Sequence, residues 1–333
     1  ALSAEMTAYA AFGTATVHAP LPIDVATARR EAYAEPGALP AVEPATLEDD
    51  LLRRDTTVNA IALVVAGAGT GALLDPCGGV GDLAAGVLRL LAPGAFEEDA
   101  TRLVRCARYA VRLGLEPDAA LVAAAQAAAR GGFVARTGTA RMADALRLVV
   151  AEPDPARVLD LLATWGVLAA LAPGMACDTG ALREALALAD ADAPDADRVA
   201  LVFGLLLADA AQEDREPWLV AAGAERRAIR AALAVADGGL RSAIAGAVDA
   251  DVDAACARVP IEAVVAAGGP EAAAYLGRLR HIELAVDGDD VQRAAGVEGP
   301  AVGRLLADLR RARIAGEVGD GRDDQLAWLV RSA

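Results

Sequence analysis

The hydrophobic pattern of this chain changes period near residue 91. Before that point apolar residues alternate in short β-branched runs, and beyond it they recur every three or four positions. Residues 12–26, FGTATVHAPLPIDVA, predict a hairpin of two strands broken at Ala19-Pro20, with Ile23 and Val25 on one face of the second strand and Asp24 on the other. Residues 36–44 read as a Pro/Gly loop. Thr46 with Asp49 three positions on has the form of a capping box, which predicts a helix opening there and running through Arg53-Arg54-Asp55. The apolar segments 72–75 and 87–91 bracket a Gly-Gly turn and would complete a small sheet.

After Pro93-Gly94 the pattern is helical. The helix expected over 97–113 starts with three acids, which suit the positive end of its dipole, and Arg102, Arg105, Arg108 and Arg112 share one face. Ala/Leu-rich helices are expected at 116–130, 139–150, 156–171, 180–190, 198–211, 217–236, 238–248, 261–268, 270–285, 300–314 and 323–331, punctuated by Gly, Pro or Asp. The fold class is therefore α+β, a small mixed sheet with helices followed by an all-helical remainder. No period is long enough to make a repeat.

A chain of 333 residues with 55% hydrophobic content can fill two or three cores without disulfides. Cys77, Cys106, Cys177 and Cys256 are far apart and form no CxxC pair, so neither zinc nor a disulfide framework is expected, and a reducing cytoplasm fits. All 31 basic residues are arginine, which with the abundance of Ala reflects GC-rich coding and helix propensity. A net charge of −16 argues against a general nucleic-acid binder. The charge is uneven, however: 89–147 holds nine Arg against six acids, and 151–333 eighteen against thirty. Contacts to nucleotide or RNA are thus expected near the middle. No apolar run is long enough for a bilayer and no basic start precedes an apolar core, so a soluble cytoplasmic protein without a membrane partner is expected.

Three strings place Arg, carboxylate and Gly at offsets that packing does not need: LEDDLLRRDTTVNA, LLDPCGGVGDLAAGVLR and FEEDATRLVRCARYAVRLG. On one helix Asp99 and Arg102 would lie a turn apart and point the same way. A carboxylate beside a guanidinium matches the amino donor and ring-nitrogen acceptor of cytosine and adenine, and rejects uracil and guanine. An isolated EDxxR would be a helix-start ion pair worth about 0.3–0.5 kcal/mol. The neighbouring strings favour the chemical reading.

Together the strings resemble the head and neck of the tRNA nucleotidyltransferase (CCA-adding enzyme) and poly(A) polymerase family, in its bacterial class. The resemblance implies a nucleotidyltransferase head over 1–92, a helical neck with the base template over 93–155, and an RNA-binding helical body and tail over 156–333. It implies that Asp99 and Arg102 template incoming CTP and ATP, that Arg105 faces the triphosphate, and that Arg54, Asp55 and Asn59 contact ribose and phosphates. Arg53, Thr57 and Ala60 match the same string, whereas Thr56 stands where an aromatic is commoner. Asp75, Gly78, Gly79, Asp82, Leu83, Leu88 and Arg89 match a further string read as mainly architectural. Arg141, with Asp144 a turn on, resembles the last head-and-neck motif and would be structural or phosphate-facing. The implied activity is template-independent addition of CMP or AMP to the 3′ end of tRNA with Mg²⁺; poly(A) synthesis and a non-catalytic nucleotide- or RNA-binding role are the alternatives.

FGTATV and IDVATARREAYAEPGALPAV resemble the distal part of the catalytic palm, where a strand carboxylate joins a DxD pair to hold two metal ions. Asp24 matches that carboxylate, as catalytic and metal-binding residue. No GGxxRD…DxD string precedes Ala11, so an N-terminally truncated member, incomplete in its head and inactive as given, is expected. Asp190, Asp192, Asp195, Asp197, Asp249, Asp253, Asp287 and Asp290 sit in DxD-like strings that read as helix caps and solvated turns. GAGTG at 67–71 lacks the Lys-Ser/Thr of a P-loop. With only His18 and His281, a His-Asp phosphohydrolase domain is excluded. GVEGPAVG at 296–303 could offer amides to an RNA phosphate or be a plain helix-start turn.

Overall fold

The computed structural model describes residues 5–9, 13–18 and 21–332. Phe12 and the Ala19-Pro20 turn lie outside them. Strands β2 (Thr14–His18) and β3 (Ile23–Ala26) pair antiparallel, with Thr16 opposite Asp24, as the alternation requires. A strand not expected from the sequence, β1 (Glu5–Tyr9), pairs with the other edge of β2. The expected Pro/Gly loop is partly strand: β4 (Arg29–Ala32) and β5 (Ala41–Pro44) form a second hairpin, because pairing with β4 satisfies the backbone of 41–44.

The capping box is present, with Thr46 and Asp49 bonding each other's backbone at the start of α1 (Leu47–Leu52). The helix does not run through the RRD string. It ends at Leu52 because the next residues are drawn to a distant segment: Thr56 bridges Leu90, Leu91 N–H donates to the Asp55 carbonyl at 3.0 Å, and Thr57 N–H donates to the Arg89 carbonyl at 3.1 Å. A 3-10 turn follows at Thr57–Ala60. The segments 72–75 and 87–91 do not pair with each other. Instead β6 (Ala62–Leu63) pairs with β7 (Leu73–Leu74), and β8 (Val87–Leu88) runs parallel to β9 (Glu116–Pro117). Between them lies α2 (Gly79–Ala85), whose first amides, Gly79 and Val80, donate to Asp75 at 2.7 and 3.0 Å. A Cβ on Gly79 would stand 2.1 Å from the Thr57 carbonyl oxygen, so only glycine lets α2 close on the 57–60 turn.

The helix expected over 97–113 is two helices, α3 (Ala95–Glu98) and α4 (Thr101–Leu113). Asp99 between them is extended (φ −146°, ψ 102°), and its Oδ1 accepts from Thr101 N–H at 3.0 Å and Thr101 Oγ1 at 2.7 Å. An Asp side chain that bonds the backbone two residues on competes with helix continuation. Then come α5 (Ala119–Arg130), α6 (Phe133–Thr137), α7 (Thr139–Val150), α8 (Pro155–Thr164) and α9 (Val167–Leu171), and α4 packs on both α7 and α8. Phe96, Leu103, Met142, Leu146, Leu159, Leu162 and Trp165 are buried in this core.

The chain divides into two compact units, one reaching Met175 and including 221–223, the other formed by 176–220 and 224 onward. In the second, α10 (Thr179–Asp192), α11 (Arg198–Leu206), α12 (Gln212–Ala221), α13 (Arg226–Asp237), α14 (Gly239–Ile244), α15 (Asp249–Cys256), α16 (Ile261–Ala267) and α17 (Gly269–Gly277) lead to α18 (Gly288–Ala295), α19 (Pro300–Ile314) and α20 (Arg322–Ser332). Val291, Leu309 and Leu329 centre the core of those last three helices. Several expected helices are shorter or split, and two DxD-like strings are not turns: Asp190 and Asp192 end α10, and Asp249 and Asp253 lie in α15, where Asp253 is buried and paired with Arg310 at 2.7 Å. Asp197 and Asp287 do cap α11 and α18. Among the described residues no helix is long and apolar enough to cross a membrane.

Candidate functional site

A cleft of about 590 Å³ in the first unit is lined by Arg54, Asp55, Asn59, Asp99, Arg102, Arg105 and Arg141, together with Arg29, Glu31, Tyr33, Asp50 and Arg53. Each of the first seven is a residue singled out from the sequence. Asp24 is not in the lining: it is exposed on β3, its Oδ1 accepting from Thr16 Oγ1 at 2.7 Å.

The floor is built on two buried acids of the RRD segment. Asp50, at 5% exposure, accepts from the Arg29 amide at 3.2 Å and pairs with Arg53 at 2.6 Å and Arg54 at 2.8 Å. Burial raises its pKa, but the bonds from Arg54, Arg53 and the Arg29 amide outweigh it and hold the carboxyl below the usual range. Asp55 is equally buried. Its Oδ1 accepts from the Thr56 amide at 2.9 Å and from Asn59 Nδ2 at 2.8 Å, and its Oδ2 lies 2.8 Å from Arg105 Nε. Asn59 thus spends a donor on Asp55 and keeps its amide oxygen for another group, while Arg105 is anchored through Nε and keeps its terminal nitrogens.

Asp99 and Arg102 line the same cleft without bonding each other. Asp99 Oδ1 receives Thr101 and lies 3.1 Å from Arg141 NH2, which leaves Oδ2 as an acceptor. Arg141 also donates to the Gly37 carbonyl at 2.7 Å, tying the 33–40 loop to α7. The guanidinium of Arg102 is buried among Glu98 Oε2 at 3.0 Å, the Ala95 carbonyl at 3.3 Å, the Tyr33 hydroxyl at 3.1 Å and Glu31 Oε2 at 3.7 Å. The shared helix face expected from EDxxR is therefore replaced by two separate anchors, Asp99 in the break between α3 and α4 and Arg102 in the first turn of α4.

Sequence reasoning missed Glu31, Tyr33 and Asp50. Glu31 gathers Arg29 at 2.9 Å, Arg53 at 2.7 Å and the Tyr33 hydroxyl at 3.0 Å, and its side chain is only 8% exposed. Burial alone would raise its pKa; Arg53, Tyr33 and Arg29 together bring it below the usual carboxylate range. Burial, with Glu31 beside it, pushes the Tyr33 phenol up to about 12, although Arg102 works the other way. The signal was present in the period of two on β4, which puts Arg29, Glu31 and then Tyr33 on one face. In the DPCGGVGD string, Asp82 accepts from Thr57 Oγ1 at 2.7 Å and Arg89 bridges Asp82 at 3.1 Å and Asp118 at 2.8 Å, outside the cleft.

Residues 3–89 match the poly(A) polymerase head domain. Over that region the chain resembles the tRNA nucleotidyltransferase and poly(A) polymerase family. It is 36% identical over 178 residues to an A-adding tRNA nucleotidyltransferase of Aquifex aeolicus, covering 53% of this chain and 22% of that protein. It is 42% identical over 152 residues to a CC-adding tRNA nucleotidyltransferase of Deinococcus radiodurans, covering 46% and 39%. The chain thus spans well under half the length of either relative. A solved CCA-adding enzyme without ligand shares the fold, with a TM-score of 0.84 at 23% identity over all of this chain and 82% of that one. Enzymes of this family are RNA nucleotidyltransferases that use a divalent metal.

The carboxylates here do not compose such a metal centre. Among the described residues no three His, Cys, Asp or Glu side chains are grouped to hold an ion, and Asp24 is engaged by Thr16 alone. Two metals shared between an attacking and a leaving oxygen need several converging carboxylates.

Proposed function

We propose that this chain carries the base-selecting cleft and RNA-binding helices of an enzyme that adds CMP or AMP to the 3′ end of tRNA. The observation that carries the reading is the meeting of Asp99 and Arg102 in one cleft with Arg54, Arg105 and Arg141. An acceptor beside a donor suits the Watson–Crick edge of cytosine or adenine. Arg54 and Arg105 supply charge for a triphosphate, and Asp55 with Asn59 suits a ribose hydroxyl. The names of the A-adding and CC-adding relatives support the same two nucleotides.

Arg102 and Asp99 fix base identity without reacting. Because each is held by protein partners before any nucleotide arrives, little side-chain entropy remains to be lost on binding. Asp24 is the one carboxylate assigned here to the family's metal, which we take to be Mg²⁺, and by itself it does not supply the set that transfer needs. Poly(A) synthesis would use the same base edge for adenine alone.

The test is equilibrium binding of the four ribonucleoside triphosphates. ATP and CTP are expected to be retained over GTP and UTP; equal retention of all four would overturn the reading.

A further inference from the structure

Tyr33 stands between two opposite charges at the edge of the cleft. Its hydroxyl lies 3.0 Å from Glu31 Oε2 and 3.1 Å from Arg102 NH2, while Glu31 Oε2 and Arg102 NH2 are 3.7 Å apart, an ion pair too long for a hydrogen bond. A guanidinium has no acceptor and a carboxylate no donor, so the phenol gives its hydrogen to Glu31 and receives one from Arg102. Burial pushes the phenol up to about 12, which keeps that hydrogen in place at neutral pH. The two oxygens of Glu31 are unequally served. Oε1 carries both Arg29, at 2.9 Å, and Arg53, at 2.7 Å, whereas Tyr33 is the hydrogen-bond donor to Oε2 among the described residues.

This arrangement decides which donors Arg102 has left for a base. NH1 is occupied twice, by Glu98 Oε2 at 3.0 Å and the Ala95 carbonyl at 3.3 Å, and NH2 gives one hydrogen to Tyr33. The second hydrogen of NH2 stays uncommitted because the phenol keeps Glu31 at a distance. Without the hydroxyl, Oε2 of a side chain only 8% exposed would lack a donor, an expensive state that Arg102 NH2, already its ion-pair partner, would relieve by closing on it. We propose that Tyr33 is a positioning residue for base selection: its hydroxyl holds Arg102 off Glu31 and so reserves an NH2 hydrogen for the ring-nitrogen acceptor of cytosine or adenine. The ring has a separate part, lying 5.7 Å from the guanidinium carbon as a cation–π platform that phenylalanine would preserve. This role rests on the base-edge reading of the preceding section and adds the group that keeps the donor of that edge available.

The test compares the parent protein with Y33F and R102A in equilibrium binding of ATP, CTP, GTP and UTP, with urea unfolding of the same samples. Y33F is expected to lose about fivefold in ATP and CTP affinity while GTP and UTP change by less than about twofold. It should unfold at the parent's urea concentration, since Arg102 and Glu31 then satisfy each other directly. R102A should show the same pattern with a larger loss. A Y33F variant that keeps the full preference would overturn the proposal. So would one that binds all four more weakly by the same factor, which would make Tyr33 a packing residue alone. If the parent itself retains all four nucleotides equally, the base-edge reading fails and the role of Tyr33 falls with it; if the parent and R102A behave as that reading requires and Y33F matches the parent, the reading stands and Tyr33 has no part in selection.

Discussion

Glu31 is the residue on which most of the cleft's charge converges, since Arg29, Arg53, Arg102 and Tyr33 all approach its carboxylate. Removing one member of a buried charge cluster strands the others, at a cost of about 3 kcal/mol or more. Glu31→Gln should destabilise the first unit by that order in urea unfolding. It should also change the pH dependence. The folded-state pKa values of Glu31 and Asp50 both lie below the usual carboxylate range, so their contribution is full above that range and is lost as pH falls through the folded values. The acid limb of stability against pH should therefore be shallower in E31Q than in the parent protein; parallel limbs would contradict this. At this scale the sequence was informative where a motif named the residue, as with Arg54, Asp55, Asn59, Asp99, Arg102, Arg105 and Arg141. For Glu31 it held only the alternation along β4, because the arginines that give that acid its meaning come from three separate segments.

The elements that set the cleft are short and joined by specific contacts. The Gly79 approach to Thr57 fixes the 57–60 turn beneath α2, and Thr57 in turn holds Asp82. Gly79→Ala should force that contact apart, lowering stability by about 1–3 kcal/mol and weakening nucleotide binding through displacement of the adjoining Asp55. Calorimetry and ATP titration would check both; unaltered stability would mean that the contact is slack. The capping box of α1 and the helical periodicity beyond residue 97 were legible because their signals are local. The end of α1 at Leu52, the pairing of β5 with β4 and the break at Asp99 were not, because each is decided by a partner distant in sequence or by a side chain competing with the helix for its own backbone. The break matters chemically: it gives Asp99 to Arg141 and Arg102 to Glu31 and Tyr33, so a base would meet two independently held groups.

At the scale of the whole molecule, the period change near residue 91 separated a strand-bearing head from a remainder that is helical except for β9, which pairs back onto β8, and the charge count pointed to the middle of the chain although Arg29, Arg53 and Arg54 of the cleft come from before it. Neither could show which acids pair with which arginines in the second unit, as Asp253 does with Arg310, since ion pairing depends on which helices meet. The isolated carboxylate Asp24 leads to the expectation that these 333 residues support little or no nucleotidyl transfer; robust incorporation of CMP or AMP into a tRNA lacking its 3′ end would contradict it. The central claim, that Asp99 and Arg102 read the base edge, is tested most directly by measuring binding of ATP, CTP, GTP and UTP to the parent protein and to R102A. The account predicts that R102A loses about 1–3 kcal/mol in ATP and CTP binding, with GTP and UTP nearly unaffected, so that the preference collapses. A variant that binds all four more weakly by the same factor, or keeps the full preference, would contradict it.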